Sequence, residues 1–157
     1  VTAVPSSPGR VAGVDYGTVR IGIAVSNVER TIASPLENYT RRGLEQDARR
    51  FRQLAAEERI SLFVVGLPLH LDGDESQKSR EARQFGQWLG ETTGVPVEFF
   101  DERFTSREAE DLLLSADLTR KRRKKRMDML AAQILLTAYL EANGTRQEPR
   151  MDANGRE

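Results

Sequence analysis

Apolar residues form short uninterrupted runs in the first part of the chain and helical stripes further on. Val11 to Tyr16 and Arg20 to Ser26 are two β-type runs joined by Gly17-Thr18-Val19, and Ile32 to Tyr39 offers a third, which predicts an antiparallel meander. From Leu44, the positions Leu44, Ala48, Phe51 and Ala55 recur at the spacing of one face of an amphipathic helix. Leu62-Phe63-Val64-Val65-Gly66 reads as a buried strand. A loop containing Asp72-Gly73-Asp74 follows, and then the stripe Ala82, Phe85, Leu89 marks a second helix, with Trp88 and Phe85 as core residues, ending before Gly94-Val95-Pro96. Val97 to Phe100 is the last strand. Thr105-Ser106-Arg107-Glu108 has the form of a capping box opening a helix that runs through Ser115. Met127, Leu130, Ala131, Ile134 and Ala138 give a long C-terminal helix.

This order describes an α/β fold with a mixed five-stranded sheet, three antiparallel strands and then parallel ones, flanked by helices. Residues 11–143 are expected to form one domain, behind a flexible lead-in at 1–10 and ahead of a flexible polar tail at 144–157. A chain of 157 residues can bury such a core without disulfides or metals.

Composition changes the picture in three ways. The 24 Lys and Arg balance 24 Asp and Glu, but the charge is segregated: residues 61–117 carry five basic and twelve acidic side chains, and residues 118–126 carry seven basic and none acidic. Overall neutrality therefore does not exclude a nucleic-acid partner. Cysteine is absent and His70 is the only histidine, so metal chemistry must rest on carboxylates, which favour magnesium or manganese over zinc. No apolar stretch approaches the roughly 18–20 residues of a membrane span, and the N-terminus has no signal-peptide core, which predicts a cytoplasmic protein without a membrane partner.

Candidate chemistry gathers at strand ends. Asp15 closes the first strand, where rigid backbone could support a metal ligand or the carboxylate could simply cap the turn. Asp101 and Glu102 follow the last strand, at the edge where α/β sheets bind ligands. Because strand side chains alternate, one of the two at most points into a shared site unless the strand has already turned. Asp128 borders the apolar stripe of the last helix; an acid at a helix start is also what the macrodipole favours. The run Arg120, Lys121, Arg122, Arg123, Lys124, Lys125 and Arg126 reads as a loop ahead of that helix, suited to phosphate and, lacking aromatics, blind to sequence. His70 lies in the loop Gly66 to Gly73, where it is an ordinary hydrogen-bonding residue or a general base.

Together, Asp15-Tyr16-Gly17 with Arg20-Ile21-Gly22, Gly66-Leu67-Pro68, Asp101-Glu102-Arg103-Phe104-Thr105, and Arg123-Lys124-Lys125 with Asp128 resemble the YqgF/RuvX family in order and spacing over roughly residues 11–141. The resemblance implies an RNase H-like fold related to the RuvC resolvases. It also implies a bacterial cytoplasmic nuclease that matures the 5′ end of pre-16S rRNA beside the small ribosomal subunit, or one that resolves Holliday junctions in branched DNA. It makes Asp15, Glu102 and Asp128 the expected ligands of Mg2+ or Mn2+, with Asp101 as alternative or auxiliary member. Arg20 and Arg103 are then expected to hold the phosphate and residues 120–126 to track the flanking strand. His70 stands where relatives often have Asn, and Tyr16 where many have a smaller residue. Two other readings compete. The turn after Asp15 also resembles the phosphate-binding turn of sugar-kinase and actin-like ATPases, which clamp ATP between two such domains. A non-catalytic nucleic-acid or ribosome-binding module would rely on the basic run alone.

Overall fold

The computed structural model describes residues 9–105 and 120–147, with side chains in the second segment from 129 to 143. Five strands form one sheet in the order β3-β2-β1-β4-β5, comprising β1 (Arg10–Asp15), β2 (Arg20–Ser26), β3 (Ala33–Thr40), β4 (Ile60–Leu67) and β5 (Val97–Asp101). β1 pairs antiparallel with β2 and parallel with β4, β2 pairs antiparallel with β3, and β4 pairs parallel with β5. The mixed sheet is therefore the expected one. Central strands covered on both faces need apolar residues at every position. In β4, Phe63, Val65 and Leu67 face one core and Val64 the other.

The first core lies under α1 (Leu44–Glu57) and α2 (Gln77–Thr93). Phe51 is its centre, with ring centroids 5.7 Å from Phe85, 6.0 Å from Tyr39 and 6.3 Å from both Phe63 and Trp88. α2 starts earlier than its apolar stripe. Ser76 accepts from the Ser79 amide at 2.9 Å while Ser79 Oγ accepts from the Ser76 amide at 2.7 Å, a reciprocal cap that satisfies two orphan donors. Gly94, at φ 73°, ends the helix in the left-handed conformation that glycine adopts without strain.

The opposite face is covered by the last helix, α3 (Arg120–Gln147), which lies across β1, β2 and β3. Its approach depends on Gly13, where a Cβ would stand 2.8 Å from Leu136 Cβ and 3.0 Å from the Ala132 carbonyl oxygen. The basic run Arg120 to Arg126 is the start of this helix and not a loop ahead of it. Arg and Lys rank among the better helix formers, so a run of them extends a helix that packing has already nucleated. The helix also continues through Gly144 to Gln147, beyond the boundary expected for the tail. Asp128 consequently sits in the third turn of α3 rather than at its N-terminus, and the macrodipole argument for it falls away. The helix expected from Thr105 to Ser115 lies outside the described residues; Thr105 itself donates its hydroxyl to the Glu102 carbonyl at 2.9 Å.

The sequence gives no hint of the buried carboxylate in α1. Asp47 is fully buried and accepts from the Tyr39 hydroxyl at 2.6 Å, the Arg42 amide at 2.9 Å and Arg41 Nε at 3.2 Å. Burial works against its charge, but these hydrogen bonds outweigh it and hold the carboxyl below its ordinary value. Burial and the Asp47 bond together push the Tyr39 hydroxyl up to about 12. Asp47→Ala leaves the tyrosine hydroxyl and an amide without their acceptor and is expected to cost about 3 kcal/mol in urea unfolding. Asn at the same position should cost less.

Candidate active site

The register of three strands builds the site. Val14 pairs with Val65, so Asp15 ends β1 beside Gly66 of β4; Gly66 in turn pairs with Phe100 of β5, and Leu67 with Asp101. At Asp101 the strand stops and a 3-10 turn, Glu102–Phe104, begins. The turn breaks the alternation that would send neighbouring side chains to opposite faces, and it swings Glu102 back over β4. A Cβ on Gly66 would lie 2.5 Å from Glu102 Oε1, so the carboxylate occupies the space that a side chain there would take. The result is a cleft of about 360 Å³ whose lining includes Asp15, Tyr16, Thr18, Lys78, Glu81 and Glu102.

Glu102 carries the electrostatic signature of the cleft. Burial, then the charges of Asp15 and Asp101, push its carboxyl up to about 7, with Lys78 pulling the other way. Asp101 behaves differently. Arg103 donates to it from its amide at 2.9 Å and from Nε and Nη2 at 2.9 Å and 2.5 Å, which holds its carboxyl below the ordinary value despite some burial. Asp101 thus caps the turn and fixes Arg103, whose Nη1 also donates to the Leu71 carbonyl at 3.1 Å. Of the two neighbouring acids, Glu102 lines the cleft with Asp15 and Asp101 does not.

The other sequence candidates are distributed as follows. Arg20 is the exposed first residue of β2, opposite Thr40 of β3, and does not line the cleft. Arg103 is committed to Asp101 and the Leu71 carbonyl. His70 is exposed in a turn, its amide donating to the Asp74 carbonyl at 2.9 Å, and stands outside the cleft lining. Asp128 and the basic residues 120–126 are placed by their backbone in α3, and their side chains lie outside the described residues. Lys78 and Glu81 are cleft residues that the sequence reading passed over. The signal was Ser76-x-x-Ser79, which starts α2 beside the cleft loop and so puts Lys78 in its first turn; Ser76 Oγ ties the two together by donating to the Pro68 carbonyl at 2.6 Å.

The donor set suits a hard divalent cation. Two carboxylates converge on one cleft that contains neither imidazole nor thiol, and their repulsion is what a dication relieves. Glu81 also lines the cleft, but among the described residues no group of three carboxylates or histidines is placed to hold a metal ion together. Because a cation must displace the Glu102 proton, Mg2+ affinity measured by calorimetry should tighten as pH rises towards about 7 and level off above it, with proton uptake by the buffer below that pH. The same raised value makes folding stability fall between about 4.5 and about 7, since the unfolded chain ionises Glu102 first. Glu102→Gln should abolish both dependences.

Residues 9–142 match the family described as RuvX, Holliday junction resolvase. A protein of Rhodopirellula baltica named "Putative pre-16S rRNA nuclease" is 52% identical over 134 residues, covering 85% of this chain and 78% of its own length. A protein of the same name from Koribacter versatilis is 39% identical, with 90% and 93% covered. Among solved structures, Thermus thermophilus RuvC in complex with a Holliday junction substrate aligns with a TM-score of 0.57 at 16% identity, covering 87% of this chain and 96% of its own. The fowlpox virus Holliday junction resolvase aligns at 0.52 and 13%, with 85% and 99% covered. At these identities the two structures show the shared fold. No helix of the described residues is long and apolar enough to cross a membrane.

Proposed function

Given that the chain belongs to the RuvX family of Holliday junction resolvases, we propose that it is a divalent-metal-dependent nuclease that hydrolyses phosphodiesters and matures the 5′ end of pre-16S rRNA in the bacterial cytoplasm, beside the small ribosomal subunit. The observation that carries this reading is the Asp15–Glu102 pair converging over Gly66 at the ends of parallel strands. The names of relatives with up to 52% identity support the RNA substrate. The family description supports branched DNA as the second reading.

Asp15 and Glu102, joined by Asp128 of α3, would hold Mg2+ or Mn2+. The ions would supply Lewis acidity that activates water and stabilises the leaving 3′ oxygen during in-line attack. The chain's own residues do the rest. With its carboxyl raised to about 7, Glu102 would take a cation in competition with a proton, which would couple loading of the site to pH. Lys78 places a cation on the cleft wall, in the first turn of α2, where charge accumulates on the phosphoryl oxygens. Asp101 holds Arg103, and with it the Leu71 segment of the cleft-bordering loop, so the turn that carries Glu102 stays closed.

The test is cleavage of end-labelled pre-16S leader RNA and of a four-way DNA junction in Mg2+, Mn2+ or EDTA. Cleavage should require metal and fall at least about a hundredfold in Asp15→Asn and in Asp128→Asn, with melting temperature retained. Preferred cleavage of the junction would move the substrate to DNA. Cleavage that survives EDTA or Asp15→Asn overturns the mechanism.

A further inference from the structure

A second concavity lies between β3 and the first turns of α1, and its volume of about 580 Å³ exceeds that of the catalytic cleft. Its lining includes three arginines, Arg42, Arg49 and Arg50, against one acid, Glu37. Arg50 is spoken for: its Nε donates to Glu37 at 3.0 Å and its Nη2 bonds the other oxygen. Arg42 and Arg49 are exposed, and the one carboxylate paired with Arg49 among the described residues, Glu45, stands 4.0 Å away at 91% side-chain exposure, where an ion pair is worth little. The rest of the wall is neutral and rich in hydrogen-bonding groups, among them Asn38 and Gln46. The one aromatic residue of the lining, Tyr39, is buried with its hydroxyl on Asp47, so no ring is offered for base stacking.

The groove opens at the same edge of the sheet as the catalytic cleft. Antiparallel pairing sets the Asp15 end of β1 beside Gly22 of β2, and the Arg20 end of β2 beside Thr40 of β3. Two strand spacings separate Asp15 from β3, roughly 10 Å. The join is fixed: the Arg41 amide donates to the Val19 carbonyl at 2.9 Å, and Arg41 Nη1 donates at 2.9 Å to the hydroxyl of Tyr16, a cleft residue. Asp47 grips Arg41 Nε and the Arg42 amide together, so the arginines between cleft and groove are held on rigid backbone.

We propose that this groove binds the phosphodiester backbone of the substrate strand a few nucleotides from the scissile bond, with Arg42 and Arg49 contacting phosphates and the polar wall making sequence-independent contacts. The proposal rests on the nuclease reading for the direction of the strand, but the binding site itself does not. It places the grip on the strand in the first half of the chain, independent of the basic start of α3.

The test is fluorescence-anisotropy binding of a labelled RNA of about 20 nucleotides and of a four-way DNA junction, across a salt series, in the Asp15→Asn background so that cleavage does not intrude. Arg42→Gln/Arg49→Gln should weaken binding at least about tenfold near 0.1 M salt and make the plot of log affinity against log salt shallower by about 1.5–2. The control Arg52→Gln/Arg59→Gln removes the same charge outside the groove and should leave both quantities near the parent values. Unchanged affinity and slope in the groove variant overturn the proposal, as does an equal loss in the control or a parent that binds neither probe. A parent that binds through the groove but, with Asp15 restored, cleaves nothing overturns the nuclease reading and leaves the groove standing. Matched melting temperatures separate loss of contact from loss of fold, and Arg42→Lys/Arg49→Lys should restore most of the salt slope.

Discussion

Two carboxylates pressed together in a half-buried cleft repel each other, and the sheet register is what enforces that repulsion. Glu102 follows β5, and the pairings of β5 with β4 and of β4 with β1 fix where it meets Asp15; a one-residue slip in either would turn every buried side chain of a two-faced strand to the wrong core. The hydrophobic free energy of both layers therefore fixes that register, and the burial of Glu102, with the charges of Asp15 and Asp101 added to it, appears locally as a carboxyl raised to about 7. Gly66 is the geometric counterpart. Any side chain there would fill the place of Glu102, and the two acids would be separated by bulk instead of sharing the cleft.

Much of the fold was legible because it is periodic. The strand runs, the one-faced spacing from Leu44 and the stripe Ala82, Phe85, Leu89 all lie in the elements they predict, and the mixed pairing follows from their order. What escaped is where local rules give way to tertiary context. Parity could not choose between Asp101 and Glu102, because the strand ends between them and a 3-10 turn resets the direction of the next side chain. The run from Arg120 looked like a loop since charge dominates its appearance, but helix propensity and the packing of Ala132 and Leu136 on Gly13 carry the helix back through it. Asp47 reads on paper as an ordinary acid in the first turn of a helix; only the fold shows that it is enclosed by Tyr39 and the Arg41-Arg42 pair.

That buried network has a wider role than stabilising α1. Tyr16 leans on Phe85 at 4.8 Å, its hydroxyl meets Arg41, and Arg41 meets Asp47, so one chain of contacts runs from the wall of the cleft through the aromatic core to the rim of the arginine groove. Packing and charge are not separate layers here: the rings that fill the core also orient the guanidinium between the two concavities.

The sheet order also sets an order of assembly. The β1–β2–β3 meander is closed by short connections and needs only local pairing, whereas β1 meets β4 across the crossover that includes α1, and β5 meets β4 across the one that includes α2. Loop-closure entropy makes such long-range parallel pairing the slower step. On that reasoning Asp15 is placed with the meander and Glu102 with the last strand, so a chain in which β5 has not yet paired lacks the Asp15–Glu102 pair. Competence of the cleft is in this sense a built-in report that the sheet is complete.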